Sequence, residues 1–173
     1  MMGGFMALLE KIGANLKIRI KIWFWKIKYG ERLSVGRGLK FRRGFVINIS
    51  KSGHLRIGEN CFFNSYCSIN CRDEIEIGDE NLFGEGVKIY DHNHVFNDKN
   101  INIKENFRTS RVVIGRRNWF GSNSVILSKA KVGDNNVFGA NTIVNSEYDS
   151  DNLVRSAAGQ IIEKIHYKEG KND

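Results

Sequence analysis

The 173-residue sequence has no proline, only three cysteines and only four histidines. Its first fifty residues hold just two acidic side chains. No apolar run approaches the roughly 20 residues of a membrane-spanning helix, which excludes a spanning segment of that kind. The odd set Cys61, Cys67 and Cys71 fits neither a disulfide framework nor a zinc spacing. Reduced cytosolic thiols and no metal are therefore expected. Apolar residues near the start are interrupted by Glu10, Lys11 and Lys17, with no cleavage-site pattern, so no signal peptide is expected. A cytoplasmic location follows, with a peripheral place on the inner membrane face left open. The shortage of acid at the head leaves residues 1–50 at +9, out of a formal total of +8. A basic head before a nearly neutral body points to an anionic partner near the head. No nucleic-acid module accompanies the charge, so nucleic acid is not expected. The length suits one domain with a sizeable core.

Residues 5–29 are apolar, basic and aromatic. Leu9, Ile12, Leu16, Ile20, Trp23 and Ile27 recur at helical spacing, whereas Leu16, Ile18, Ile20, Ile22 and Phe24 alternate as in a strand. The helical pattern is longer and predicts a helix. Two roles stand side by side. One is a cap over one end of the core. The other is a basic amphipathic segment on an anionic membrane or acidic glycan, with contact through residues 5–43.

From Val35 the chain repeats every six residues. The hexads start at Val35, Phe41, Ile47; Ile57, Phe63, Ile69; Ile77, Phe83, Ile89; Ile114, Phe120, Ile126; and Val132, Phe138, Val144. Twelve of the fifteen following residues are Gly or Asn, types that tolerate positive φ at a bend. Where the spacing breaks, it breaks after a third hexad, with a further break expected from 144 to about 153. Three hexads then make one triangular turn, and every insertion leaves from one corner. The middle hexad always starts with Phe, so Phe41, Phe63, Phe83, Phe120 and Phe138 are expected to stack as one inward ladder. These features predict an all-β, three-faced parallel β-helix of about five coils over 35–155. Residues 1–34 form the basic segment, 95–113 an inserted loop and 156–173 a tail. Cys61 and Cys67 fall at a position where small side chains point inward.

The Ile-Gly-x-x-x-x signature at Ile57-Gly58, Ile77-Gly78, Ile114-Gly115 and Val132-Gly133 resembles the hexapeptide-repeat acyltransferases. That resemblance implies a left-handed coil, a homotrimer with active sites between subunits, and an acetyl-CoA donor. Ile89 to His94 before a long loop is similar to the galactoside and maltose acetyltransferase branch, in which the aligned His, here His94, is the base. Ile114 to Ser122 resembles that branch's I-G-x-x-x-W-I-G-S segment, which assigns Trp119, Gly121 and Ser122 to the coenzyme. Val137-Phe138-Gly139-Ala140 resembles the next stretch of the same groove, adding Gly139 and Ala140. The family's closing G-x-P-A-K motif aligns with Ser156 to Gln160, where proline and the basic residue are missing. Gln160 is kept as a coenzyme contact, and Arg155 or Lys164 is a candidate for the missing charge. The basic aromatic head, the D-H-x-H loop and the length are similar to O-acetyltransferases of bacterial surface polysaccharides.

Transfer from a thioester to an alcohol needs a base, because the alcohol proton must leave as oxygen attacks. Histidine suits this when its other ring nitrogen is held by an acceptor. Asp91, Glu85 and a backbone carbonyl are the candidates to hold His94. Backbone N–H groups at Gly121-Ser122 are candidates for the oxyanion. His92 and Asn93 are expected to face the carbohydrate acceptor. His54 and His166 lie outside every motif. No cysteine or serine has the context of a covalent nucleophile, so direct transfer in a ternary complex is expected. The loop after His94 is read as an arm over the neighbouring subunit that walls the acceptor site. Three functions compete. The first is O-acetylation of a sugar on a surface polysaccharide or its lipid-linked precursor. The second is N- or O-acetylation of a small soluble acceptor, such as a nucleotide-activated amino sugar or an antibiotic. The third is a non-catalytic β-helical binding protein.

Overall fold

A computed structural model describes residues 2–95, 102–156 and 160–164. Three parallel sheets form the faces of a prism. The first contains β1 (Leu33–Val35), β4 (His54–Ile57), β7 (Glu74–Ile77), β12 (Val112–Ile114), β15 (Lys131–Val132) and β18 (Glu147–Tyr148). The second contains β2 (Lys40–Phe41), β5 (Phe62–Phe63), β8 (Leu82–Phe83), β13 (Trp119–Phe120), β16 (Val137–Phe138) and β19 (Asn152–Ser156). The third contains β3 (Val46–Ile49), β6 (Ser68–Cys71), β9 (Lys88–Tyr90), β14 (Val125–Ile126) and β17 (Ile143–Val144). Among the described residues five coils are complete and a sixth has two faces. That sixth coil starts at Tyr148, which pairs with Val132, and not near residue 153.

Four of the five expected Phe rings form a column. Phe63, Phe83, Phe120 and Phe138 are fully buried, with successive centroids 4.3, 5.1 and 4.8 Å apart and planes within 2°. Those spacings are the pitch of a parallel sheet, about 4.8 Å, so the backbone sets them. Phe41 is the exception. Its strand is in register with Phe63, but Phe45 takes the place on Phe63 at 4.4 Å. The first coil has no coil beyond it, and Phe41 packs instead on Trp25 of the cap at 5.3 Å.

The bends also differ from expectation. The residues after the hexad starts do not carry the positive φ; the fourth hexad residues do, with φ near +54° to +76° at Asn60, Tyr66, Glu80, Arg117, Lys129 and their equivalents. The cost of that conformation in non-glycine residues is offset by ladder bonds. Tyr66 and Arg117, for example, donate their N–H to Arg43 and Asp79 carbonyls one coil back. The glycines at the second position serve close approach: a Cβ on Gly78 would lie 2.7 Å from the Gly115 carbonyl oxygen of the next coil.

A ladder of buried amides runs along one corner. Asn81 Oδ1 accepts the Asn118 N–H at 2.9 Å, Asn118 Oδ1 accepts that of Asn136 at 2.8 Å, and Asn136 Oδ1 accepts that of Asn152 at 2.9 Å. Asn118→Ala is expected to leave a buried N–H unpaired and to cost about 1–2 kcal/mol in urea unfolding. The figure sits low in the usual range because Asn118 Nδ2, itself buried without a partner, leaves with the side chain. The three thiols are buried and donate to backbone carbonyls of Gly78, Gly84 and His54. Burial pushes Cys67 up to about 11 and Cys71 up to about 12, as suits structural and unreactive groups.

The predicted helix is α1, Met2–Tyr29, with Lys26 and Lys28 in its last turn favouring the negative end of its dipole. Gly30 at φ +57° ends it in the left-handed conformation. Its inward face is not the stripe of Leu16, Ile20, Trp23 and Ile27. Trp25 and Tyr29 are buried on the first coil with Ile22 beside them, whereas Leu16, Ile20, Trp23 and Ile27 are exposed. The side chains of Leu9 and Ile12 lie outside the described residues. Polar tips fix the cap. Lys21 Nζ donates to the Phe45 carbonyl at 2.6 Å, Tyr29 Oη to that of Ile47 at 2.8 Å, and the Arg32 guanidinium to that of Ser50.

Candidate active site

The chain leaves the third face after Tyr90 and forms an antiparallel hairpin, β10 (His92–His94) on β11 (Phe107–Thr109). Residues 96–101 lie outside the description; the rest of the expected loop is a turn at 102–106 and β11, and it ends earlier than expected, since Val112 and Val113 already belong to β12. At the other end of the chain, β20 (Gln160–Lys164) pairs antiparallel with β19.

His94 is exposed, and its Nδ1 lies 2.6 Å from the Ile103 carbonyl oxygen. A carbonyl only accepts, so Nδ1 carries the proton and Nε2 keeps its lone pair. The ring packs on Phe107 at 4.4 Å. His94 lines a cavity of about 480 Å³ with Asn93, Arg108, Thr109, Ser128 and Lys129. Asn93 Nδ2 reaches Ser128 Oγ at 3.3 Å, which ties the hairpin to the corner after β14.

Of the groups considered for holding His94, the backbone carbonyl is the one in place. Asp91 is fully buried and accepts the N–H groups of Arg72 and Asp73 at 2.7–2.9 Å and Nδ1 of His92 at 2.9 Å. It anchors the root of the hairpin and orients His92, not His94. The Glu85 side chain is exposed at the corner before β9, and its carbonyl accepts the Asn123 N–H. His92, 15% exposed at its side chain, lines a separate groove of about 330 Å³ with Lys28, Tyr29, Asn48, Asn70 and Arg72.

The coenzyme candidates form a second cluster. Gly121-Ser122 and Gly139-Ala140 stack at the corner between the second and third faces, so close that a Cβ on Gly121 would lie 2.5 Å from Ala140 N. Trp119, half exposed, stands on the second face in register with Leu82 and Val137. The Gly121 N–H donates to the Phe138 carbonyl at 2.7 Å, which removes it as an oxyanion donor and leaves that of Ser122. The Gln160 and Lys164 side chains and residues 157–159 and 166 lie outside the description. One chain does not gather the two clusters: His94 stands by the corner after β14, and Ser122 stands at the corner before it. Sequence reasoning missed Ile103 and Phe107, which hold His94. It also missed Arg72, whose guanidinium lies 3.2 Å from the Phe107 ring centroid. None of the three belongs to a motif; their place comes from the hairpin register.

A family description, the bacterial transferase hexapeptide with six repeats, matches residues 111–146. WbbJ of Escherichia coli (strain K12), named as a lipopolysaccharide biosynthesis O-acetyl transferase, is 30% identical over 153 residues, 82% of this chain and 74% of its own. The chain belongs to the hexapeptide-repeat acyltransferases. It is an acetyltransferase-type enzyme, and its prism is that family's left-handed β-helix. Among solved structures, the hexapeptide-repeat acetyltransferase VCA0836 from Vibrio cholerae superposes with a TM-score of 0.67 at 26% identity, over 76% of this chain and 72% of that one. A maltose O-acetyltransferase from Clostridium difficile 630 shares the fold with a TM-score of 0.66 at 24% identity, over 78% of this chain and 70% of that one.

Proposed function

We propose that this acyltransferase O-acetylates a sugar hydroxyl of a bacterial surface polysaccharide or its lipid-linked precursor, with His94 as general base. The donor is acetyl-CoA, in keeping with the VCA0836 structure complexed with that compound. The observation that carries the reading is the His94–Ile103 bond, which leaves Nε2 as a base on a cavity of sugar size. Nε2 takes the hydroxyl proton as the oxygen attacks the thioester, and the Ser122 N–H faces the developing oxyanion. The same proton then passes to the departing coenzyme thiolate. Trp119 and the corner of Gly121 and Gly139 flank the pantetheine arm. Because His94 and Ser122 stand at different corners of one chain, the complete site is formed between neighbouring subunits of a homotrimer. Asn93, beside His94 on that cavity, faces the acceptor, whereas His92 lines the separate groove, and the basic head keeps the enzyme at an anionic surface on the cytoplasmic side.

The test is release of free thiol from acetyl-CoA with a panel of bacterial glycans, lipid-linked sugars and soluble amino sugars. Turnover with a glycan or lipid-linked acceptor, and a base-labile ester in the product, is the expected result. An amide product, or turnover with soluble amino sugars alone, overturns the acceptor assignment.

A further inference from the structure

The face of α1 turned away from the prism is apolar and uncovered. Leu16 is 57% exposed, Ile20 47%, Trp23 57%, Phe24 59% and Ile27 62%. At 100° per residue these five side chains fall within one stripe about 100° wide. The Trp23 and Phe24 rings meet edge to face at 5.0 Å and present a joint aromatic surface. Lys17 and Lys28 flank the stripe on one side, and Arg19 and Lys26 on the other. No acidic residue occurs from Lys11 to Tyr29. Trp25 and Tyr29, which fasten the helix to the first coil, lie on the opposite side.

We propose that this face of α1 docks the enzyme on an anionic bilayer. The two features needed are both present: an apolar stripe that enters the headgroup–acyl boundary, and basic flanks that stay among lipid phosphates. Charge decides between occupants. A second copy of the face would bring like-charged rims together on both sides. An acidic glycan would satisfy the lysines and arginines but would leave five large apolar side chains in water. A bilayer satisfies both. No helix is long and apolar enough to cross the membrane among the described residues, so α1 lies in the interface. Its fixed attachment to the prism gives docking a direction. Lys28 and Tyr29 of the last turn also line the groove that holds His92 and Arg72, so the active-site hairpin stands at the edge of the docking face. Delivery of a lipid-linked acceptor to the hairpin rests on the proposed function; the docking itself does not.

The full-length protein is sedimented with vesicles of phosphatidylglycerol and phosphatidylcholine, and with phosphatidylcholine alone. Wild type is expected to bind the anionic vesicles, to bind the neutral ones at least about 10-fold more weakly, and to be released in ~1 M salt. The triple variant Trp23→Ser/Phe24→Ser/Ile27→Ser is expected to lose about 10²-fold in partition. Its mass by light scattering, its melting temperature and its rate with a soluble acceptor should not change. Lys17→Ala/Arg19→Ala/Lys26→Ala should lose binding to anionic vesicles most. His94→Ala should bind vesicles as wild type does, which separates failure of catalysis from failure of docking. Wild type left in the supernatant with anionic vesicles at low salt overturns the proposal, as does equal vesicle binding by the triple variant. A smaller assembly in the triple variant assigns the face to a second copy. Retention of wild type and triple variant alike on an acidic polysaccharide, without vesicle binding, assigns it to a glycan.

Discussion

Replacing His94 by alanine is expected to lower kcat by about 10²–10⁴-fold with little change in KM for acetyl-CoA. The size follows from what the residue does. An alcohol is a poor nucleophile until its proton is taken, and the Ile103 carbonyl fixes the tautomer that can take it. The side chain is exposed and held by one ring bond and one aromatic contact, so its loss should leave the melting temperature nearly unchanged. Stopped-time assays of thiol release, with kcat and KM for acetyl-CoA separated, check the role. His92→Ala is the control. His92 is bound to Asp91 and lines a different groove, so kcat is expected to stay within about 10-fold of wild type. Equal activity of wild type and His94→Ala would move the base to His92.

The second large effect concerns the column. Phe83 is fully buried between Phe63 and Phe120, with Ile77, Val87 and Ile89 of its own coil also in the core. Phe83→Ala is expected to cost about 3–5 kcal/mol in denaturant unfolding, because the coils above and below are fixed by the ladder and cannot close the gap. Phe41→Ala should cost clearly less, since that ring is only half-buried against Trp25. Equal costs at the two positions would mean that Phe41 belongs to the column after all.

The solenoid was legible because its core obeys one rule repeated fifteen times. Within each coil the Ile, Val or Phe at one hexad start is six residues from the next, and each insertion leaves after a third face. Burial alone enforces that pattern, so it is written in residue type. Features set by a neighbour in space are not written in that way. Phe45 displaces Phe41 only because the first coil is covered by Trp25. The spacing of Leu16, Ile20, Trp23 and Ile27 is helical, but it does not say which face turns inward, and a helix apolar on both sides hides that choice. Gly78 and Gly121 look like bend residues, yet they are small because the next coil passes within touching distance. At the site, the six-residue register placed His94 at the mouth of the hairpin. Its partner is a carbonyl nine residues on, and backbone carbonyls leave no mark in a sequence. Asp91 looked like that partner because it is close along the chain; the two free amides of Arg72 and Asp73 claim it instead.

The cap has a consequence for how many molecules can join. A parallel β-helix cut off at either end shows open strand edges on every face, in the hexad register that another copy would match. Here Lys21, Tyr29 and Arg32 occupy the carbonyls of Phe45, Ile47 and Ser50, within and beside the first coil's third strand, and an antiparallel strand pairs with the second face at the far end. Growth along the prism axis is thereby opposed at the third face of one end and the second face of the other. Fibre formation is disfavoured in a repeat whose geometry would otherwise permit it, and association through the sides of the prism is favoured in its place.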